Sequence, residues 1–455
     1  MRAAADALGA LLAGPPPALA LHLPAHGRGR ALPPDLHRLL RTAPGGWDLP
    51  ELPDLGGPLE PEGAVAAAQR EAAQRLGASH CWFGVNGASG LLQVALLALA
   101  EPGQRVLLPR NLHRSLLHAC VLGGLEPVLF DLPVDPLSGL RLPPSPPLLE
   151  RVLAQAGPLA AVVLVDPTYQ GLAAPLAQLV ALAHGRGLPV LVDQAHGCGE
   201  ALAAGADLVV LSPQKAGAGL AQAAVLLGQG PRWRPEAVER ALLWLQTSSP
   251  SALLLASSAS ALAWQASAAG ERQRQRARRR GDALWHRLQR QGWPLLAGAD
   301  PLRLTLLTAP LGITGPAADA WLLQRGVIAE LPEPGALTFC LGLRPPAGLE
   351  RRLPAAMEGL RAALAAAPLP PFPPPPLPLV AAPELPLAQA WRAASVAVPL
   401  EQAAGRLAAR PLCPYPPGIP LLIPGERIDP ERLAWLRGQQ RLWPEQIADT
   451  VDVLA

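Results

Sequence analysis

Lysine is almost absent from this chain: 38 of its 455 residues are Lys or Arg, and Lys215 is the only lysine. Aromatic residues make up 4%, with two Tyr, four Phe and only two Met beside them, and charged residues 16%. A net charge of +3 over this length excludes a general electrostatic attraction to nucleic acid. No apolar run approaches the ~18 residues of a membrane span. The opening MRAAADALGALLAGPPPALA superficially resembles a secretion signal. It has one Arg, an Asp within the apolar part and three prolines directly after it, so an amphipathic helix is expected instead. The five cysteines, Cys81, Cys120, Cys198, Cys340 and Cys413, are odd in number and lack CxxC spacing. They fit free thiols of a reducing cytoplasm rather than a disulfide framework or a metal site.

What is abundant is apolar: half the residues are hydrophobic, with 56 Pro and 43 Gly. The Pro/Gly-rich stretch 14–63 has little periodicity and reads as an arm lying on another surface. From residue 61 short apolar runs alternate with helical patterns. Strands are expected at 81–85, 105–108, 126–130, 160–165, 189–192 and 208–211, with helices at 64–76, 90–100, 112–122 and 176–186. That alternation indicates an α/β fold with a mainly parallel sheet covered on both faces. The expected organisation is an N-terminal helix and arm (1–60), a large domain (61–265) and a smaller α/β domain (266–367). A proline-rich linker (368–388) and a small C-terminal domain (389–455) follow. The basic run ERQRQRARRR at 271–280 lacks interleaved aromatics or glycines. It reads as a solvated helix face or an interdomain brace rather than an RNA site.

In such sheets ligands bind beyond the carboxyl ends of the strands, and four strand ends carry polar residues. Val85-Asn86-Gly87-Ala88-Ser89-Gly90 runs straight into a helix, where free backbone N–H groups and the Ser89 hydroxyl suit a phosphate. Asp193 ends the run VLVDQAHG, Asp166-Pro167-Thr168-Tyr169 ends the most apolar strand, and Ser212-Pro213-Gln214-Lys215 ends the last one. A chain that elsewhere uses Arg keeps one Lys at such a place, and an amine can lose its proton and form an imine where a guanidinium cannot. Phosphate cradle, aspartate and lysine together describe a pyridoxal-phosphate site. The lysine holds the cofactor, and the aspartate keeps its pyridine nitrogen protonated. His113 is placed to stack on the ring.

The succession N-G-A-S-G, R-N-L-H-R-S, D-P-T-Y-Q-G, V-D-Q-A-H-G, S-P-Q-K and Q-T-S-S-P-S resembles the fold-type I, PLP-dependent ornithine/lysine/arginine decarboxylases, in their compact bacterial and cyanobacterial branch. Leu23-Pro24-Ala25-His26, Glu51-Leu52-Pro53 and Pro414-Tyr415-Pro416-Pro417-Gly418, followed by Pro424-Gly425-Glu426, extend the likeness over nearly the whole chain. The resemblance implies a fold-type I transferase-like large domain with a smaller α/β domain and a small C-terminal domain. It also implies pyridoxal 5'-phosphate and decarboxylation of a basic amino acid, with sites at a homodimer interface. Lys215 would be the Schiff-base lysine, Asp193 the partner of the pyridine nitrogen, and Ala195 and His113 the two ring faces. Gly87, Ala88, Ser89, Ser212 and Gln214 would surround the phosphate, joined by Thr247 and Ser248 from the partner subunit. His196 would handle protons, and Glu426 lies in a motif that approaches the substrate. Gln214 stands where the family motif has His, and Ala88 where it has a hydroxyl. The other readings are a lyase or aminotransferase of the same fold, and a non-catalytic paralogue that binds the cofactor weakly and assembles with an active enzyme.

Overall fold

The computed structural model describes residues 9, 12, 14, 15, 17–42, 45–50, 52–414, 418–442 and 447–455. The expected N-terminal helix lies almost wholly outside them, as do Glu51, Tyr415, Pro416 and Pro417. The strands, in chain order, begin with β1 (Leu19–Ala20), β2 (His80–Gly84), β3 (Arg105–Pro109), β4 (Glu126–Phe130) and β5 (Ala161–Val165). Next come β6 (Val190–Gln194), β7 (Leu208–Leu211), β8 (Ala224–Gly228), β9 (Arg303–Leu307) and β10 (Val327–Ile328). The last are β11 (Leu331–Glu333), β12 (Ala336–Cys340), β13 (Val380–Ala381), β14 (Ser395–Pro399) and β15 (Thr450–Leu454).

Eight of these form one sheet in the order β13-β4-β3-β5-β6-β7-β8-β2. β4, β3, β5, β6 and β7 are mutually parallel. β8 is antiparallel to both β7 and β2, so β2 runs with the five. The reason lies in the runs themselves. Val162, Leu164, Val192 and Val209 enter one apolar core, while their neighbours Val163, Leu191, Leu208 and Val210 enter another. Successive strand residues point to opposite faces, so an unbroken apolar run is stable only where helices cover both. Helices Gly63–Leu76, Pro146–Gln155, Leu176–His184 and Ala252–Ala266 cover one face. Helices Gly87–Leu99, Ser115–Gly123 and Pro235–Leu245 cover the other.

A third core joins β9 and β12 to helices Ala268–Arg290 and Leu349–Leu364, and the arm residues Leu19 and Leu21 enter it. A fourth lies within the C-terminal segment around Leu422, Leu436 and Val453. The basic run is part of helix Ala268–Arg290 and braces it: Arg274 pairs with Glu271, Arg278 with Asp300 and Arg280 with Glu350.

Several details differ from the sequence expectations. β8 was not anticipated; its run AVLLG follows a small-residue loop without a helical crossover, and so returns antiparallel. The proline-rich stretch does more than space two units. Val380 and Ala381 pair with Phe130 and Leu129 at the sheet edge, and Phe372 is buried against Ala309. Lys215 does not open a loop but sits in one helical turn, Pro213–Ala216, with proline at its start. The helix after β2 begins at Gly87, three residues earlier than expected, and the helix after β3 begins at Ser115, leaving His113 in the turn before it.

Candidate active site

The carboxyl ends of β5, β6 and β7 converge because the three strands are parallel neighbours in register: Val165 is opposite Asp193, and Asp193 opposite Val210. Lys215 follows within one turn of β7. Its Nζ lies 3.1 Å from His196 Nε2 and 5.9 Å from the centre of the Tyr169 ring. The Tyr169 and His196 rings are 4.2 Å apart. One wall comes from the small domain: Arg303, at the start of β9, reaches the Lys215 carbonyl at 3.1 Å and His196 Nδ1 at 3.5 Å, and donates to Cys340 Sγ at 2.5 Å. Tyr169 donates to Glu330, which also accepts from Leu23 N at 2.7 Å.

The electrostatics follow from burial. The Lys215 amine is held below its ordinary range by desolvation, with Arg303 pushing the same way against Asp193 and Glu330. His196 is driven well below its ordinary range by burial and then by the cations Lys215 and Arg303. The His113 imidazole is held below its ordinary range, by desolvation first and with Asp193 opposing, although the residue keeps an exposed surface. Two acids at the seam are shifted upward by burial: Asp166 to about 6, although it accepts from Ala174 N, and Glu333 to about 7, although Gln170 donates to it at 2.5 Å.

The donor set fits pyridoxal phosphate. Asp193 is buried, and one carboxylate oxygen accepts from Ala195 N at 3.1 Å. The other has no donor among the described residues, as required of an oxygen that meets a protonated ring nitrogen. Ser212 is buried, with no side-chain hydrogen bond among the described residues. The first turn of helix Gly87–Leu99 offers backbone N–H groups at Ala88 and Ser89. Gly87 takes φ +68° to make the entry, a conformation that a side chain strains, and its own N–H is bound to Gln222 O. His113 is open to solvent, with its Nδ1 2.8 Å from Ser115 Oγ.

Four expected residues stand apart from this cluster. The Gln214 side chain has no hydrogen bond among the described residues; its carbonyl accepts from Ala25 N of the arm. Thr247 and Ser248 are exposed and touch none of the lysine cluster within the chain, although Asn86 Nδ2 donates to the adjacent Leu245 carbonyl. Glu426, expected near the substrate, is buried in an ion pair with Arg110 at 2.6 Å and accepts from Ile423 N at 2.9 Å. Its pairing capacity is engaged in joining the C-terminal unit to the end of β3. Gly425 is required there: its φ is +86°, and a Cβ would lie 2.7 Å from Leu385 O. Sequence reasoning missed Arg303, Glu330 and the role of Tyr169. Arg303 is 88 positions from Lys215, and nothing local marks it; Tyr169 stood in a singled-out strand end without an assigned task.

Comparison with known proteins identifies the family and the fold. Residues 20–295 match the model of the Orn/Lys/Arg decarboxylase major domain, and residues 376–442 that of the Orn/Lys/Arg decarboxylase C-terminal domain. An arginine decarboxylase of Halalkalibacterium halodurans is 30% identical, covering 92% of this chain and 90% of its own. One of Bacillus subtilis is 29% identical, over 91% and 89%. Among solved structures, the constitutive lysine decarboxylase of E. coli superposes with a TM-score of 0.74 at 20% identity, over 90% of this chain and 75% of that one. A serine palmitoyltransferase with PLP gives 0.58 at 19% identity, over 72% and 84%.

Proposed function

The chain belongs to the Orn/Lys/Arg decarboxylase family, whose members are PLP-dependent amino-acid decarboxylases, and on that premise we propose that it converts arginine to agmatine and CO2 with Lys215 as the cofactor-bearing lysine. The observation that carries this is the strand-end cluster of Asp193, His196 and Lys215, closed by Arg303. Arginine is favoured over lysine and ornithine because the relatives that align over nine-tenths of both chains are named arginine decarboxylases. The lysine- and ornithine-decarboxylase sequence relatives match only 27% and 18% of this chain.

When bound, the cofactor supplies an electron sink for the bond that breaks at the α-carbon. The chain's own residues supply the rest. Ser89, Ser212 and the N–H groups of Ala88 and Ser89 hold the phosphate, and Asp193 keeps the ring nitrogen protonated. Ala195 and His113 lie against the ring faces. Thr247 and Ser248 complete the phosphate shell from a second subunit.

Arg303 never gives up its proton, so toward His196 Nδ1 it acts as donor. The hydrogen of the neutral imidazole then sits on Nε2, facing Lys215 Nζ. His196 therefore donates a hydrogen bond from Nε2 to an unprotonated Lys215 amine and fixes the orientation of that amine, the proton staying on the imidazole. The position of His196 and Arg303 at the seam of the two domains keeps water from competing for that hydrogen bond.

The experiment is CO2 release from arginine, lysine and ornithine in parallel by PLP-loaded protein, with Lys215→Ala as control. Fastest turnover of arginine, and loss of both turnover and the cofactor's visible absorbance in Lys215→Ala, are expected. Faster turnover of lysine or ornithine overturns the substrate assignment. Release that persists in Lys215→Ala overturns the site.

A further inference from the structure

The basic run is only half used by the brace described above. Arg274, Arg278 and Arg280 find acids, whereas Arg272 and Arg276 have no ion pair among the described residues. Arg272, Arg276 and Arg280 are spaced i, i+4, i+8 and therefore share one helix face, where Arg272 and Arg276 repel each other. That face lines a cavity of about 550 Å3. Arg30 and His37 of the arm close a second side, and Arg344, just beyond β12, a third. No acidic side chain is among the residues lining it. Arg344 Nη1 is tied to the Arg30 carbonyl at 2.8 Å, so the arm and the small domain are already held together at its rim. Trp264 supplies an apolar wall, with its Nε1 donating to Gln273 at 2.8 Å.

We propose that this cavity is a binding site for a small, multiply charged polyphosphate anion. Four guanidinium groups without an ion pair among the described residues, those of Arg30, Arg272, Arg276 and Arg344, converge from three chain segments on a space of small-molecule size, beside Arg280, whose fork is held by Glu350. Each is a planar fork suited to two oxygens of a phosphate, and in each the charge is permanent. A concave, three-walled space without a row of exposed aromatic rings is the wrong shape for a nucleic-acid strand, which needs an open groove with stacking platforms. None of the groups around Lys215 lines the cavity. The two regions are nevertheless connected: Leu343 N, from a lining residue, donates to Ala25 O, and Ala25 N donates to Gln214 O beside the catalytic lysine. An occupant that pulls the arm, the long helix and the small-domain loop together therefore acts on segments that touch the lysine turn.

The test is titration calorimetry of the PLP-loaded full chain with inorganic tripolyphosphate, pyrophosphate, citrate and a mixed-sequence RNA oligonucleotide. Saturable binding is expected, strongest for tripolyphosphate. It should weaken by about tenfold or more in Arg272→Gln/Arg276→Gln, since a charge-assisted hydrogen bond contributes about 1.5–3 kcal/mol. Arg279→Gln, on the same helix but outside the cavity, should change it by less than about twofold. Arg344→Gln probes the opposite wall and should also weaken binding by about tenfold, independently of the helix variants. Absence of saturable tripolyphosphate binding overturns the proposal. So does equal weakening in Arg279→Gln, citrate binding as tightly as tripolyphosphate, or RNA binding more tightly than either.

Discussion

Replacing Arg110 with Met leaves buried Glu426 with only the more distant Arg432, at 3.8 Å, as a cation, and the C-terminal unit should lose about 3 kcal/mol of stability. The structure sets that magnitude. The two side chains are 0% and 3% exposed and meet through two contacts, at 2.6 and 3.2 Å. Arg110 also donates to the Leu421 carbonyl at 3.2 Å, so truncation removes a further bond across the same seam. Met preserves much of the arginine stem's volume, which confines the loss to charge and hydrogen bonding. The complementary change, Glu426→Gln, keeps an oxygen for Ile423 N but strands the guanidinium, and should cost a comparable amount. The double variant Arg110→Met/Glu426→Gln removes both charges and should recover about 2 kcal/mol or more relative to the sum of the singles. Hydrogen exchange reads this out through the Leu412 and Ile423 amides, which are bonded inside the C-terminal unit. Single variants costing less than about 1 kcal/mol, or strictly additive singles and double, would refute the view that this pair latches the unit to the end of β3.

Other outcomes follow from the site. His196→Asn should lower kcat by about 10²-fold while leaving KM little changed, because the imidazole orients the Lys215 amine rather than holding substrate; an unchanged kcat removes it from the mechanism. Arg303→Met takes away a cation that pushes the Lys215 amine down, so in the cofactor-free chain the amine should titrate at higher pH and the pH dependence of the rate of PLP capture should move upward. A downward move or none refutes the coupling. Glu333 is protonated in the folded chain up to about pH 7 but ionises near 4.5 when unfolded. The folded state therefore binds the extra proton across that window, and stability should fall as pH rises through it, by on the order of 3 kcal/mol at most. Glu333→Gln should flatten that slope in urea titrations between about pH 5 and 8; an equally steep slope in the variant refutes the assignment.

Much of this protein is legible in one dimension. The stretches 126–130 and 208–211 are strands with the expected bounds; in the second, LVVL, an uninterrupted run of β-branched and leucine side chains is stable in a sheet covered on both faces. Lys215 and Asp193 stood out because residue type restricts chemistry, an amine and a carboxylate each ending an apolar strand; His196 came only from the family resemblance, and the structure puts it 3.1 Å from Lys215 Nζ. No described membrane-length apolar helix appears, as the short runs implied. What the chain order could not supply is which distant residues meet. Arg303 acts on Lys215 from the small domain. Glu426 turned out to face Arg110, where its motif had pointed to the substrate. Val380 and Ala381 add a strand from within a proline stretch, and four arginines of three separate segments surround one cavity with Arg280. Each of these is a contact across tens to hundreds of positions, set by how the units pack rather than by local pattern. Sequence alone thus determined the chemistry available, through residue type and period; tertiary structure decided which charges are buried together, because burial and pairing energies exist only once the surfaces have met.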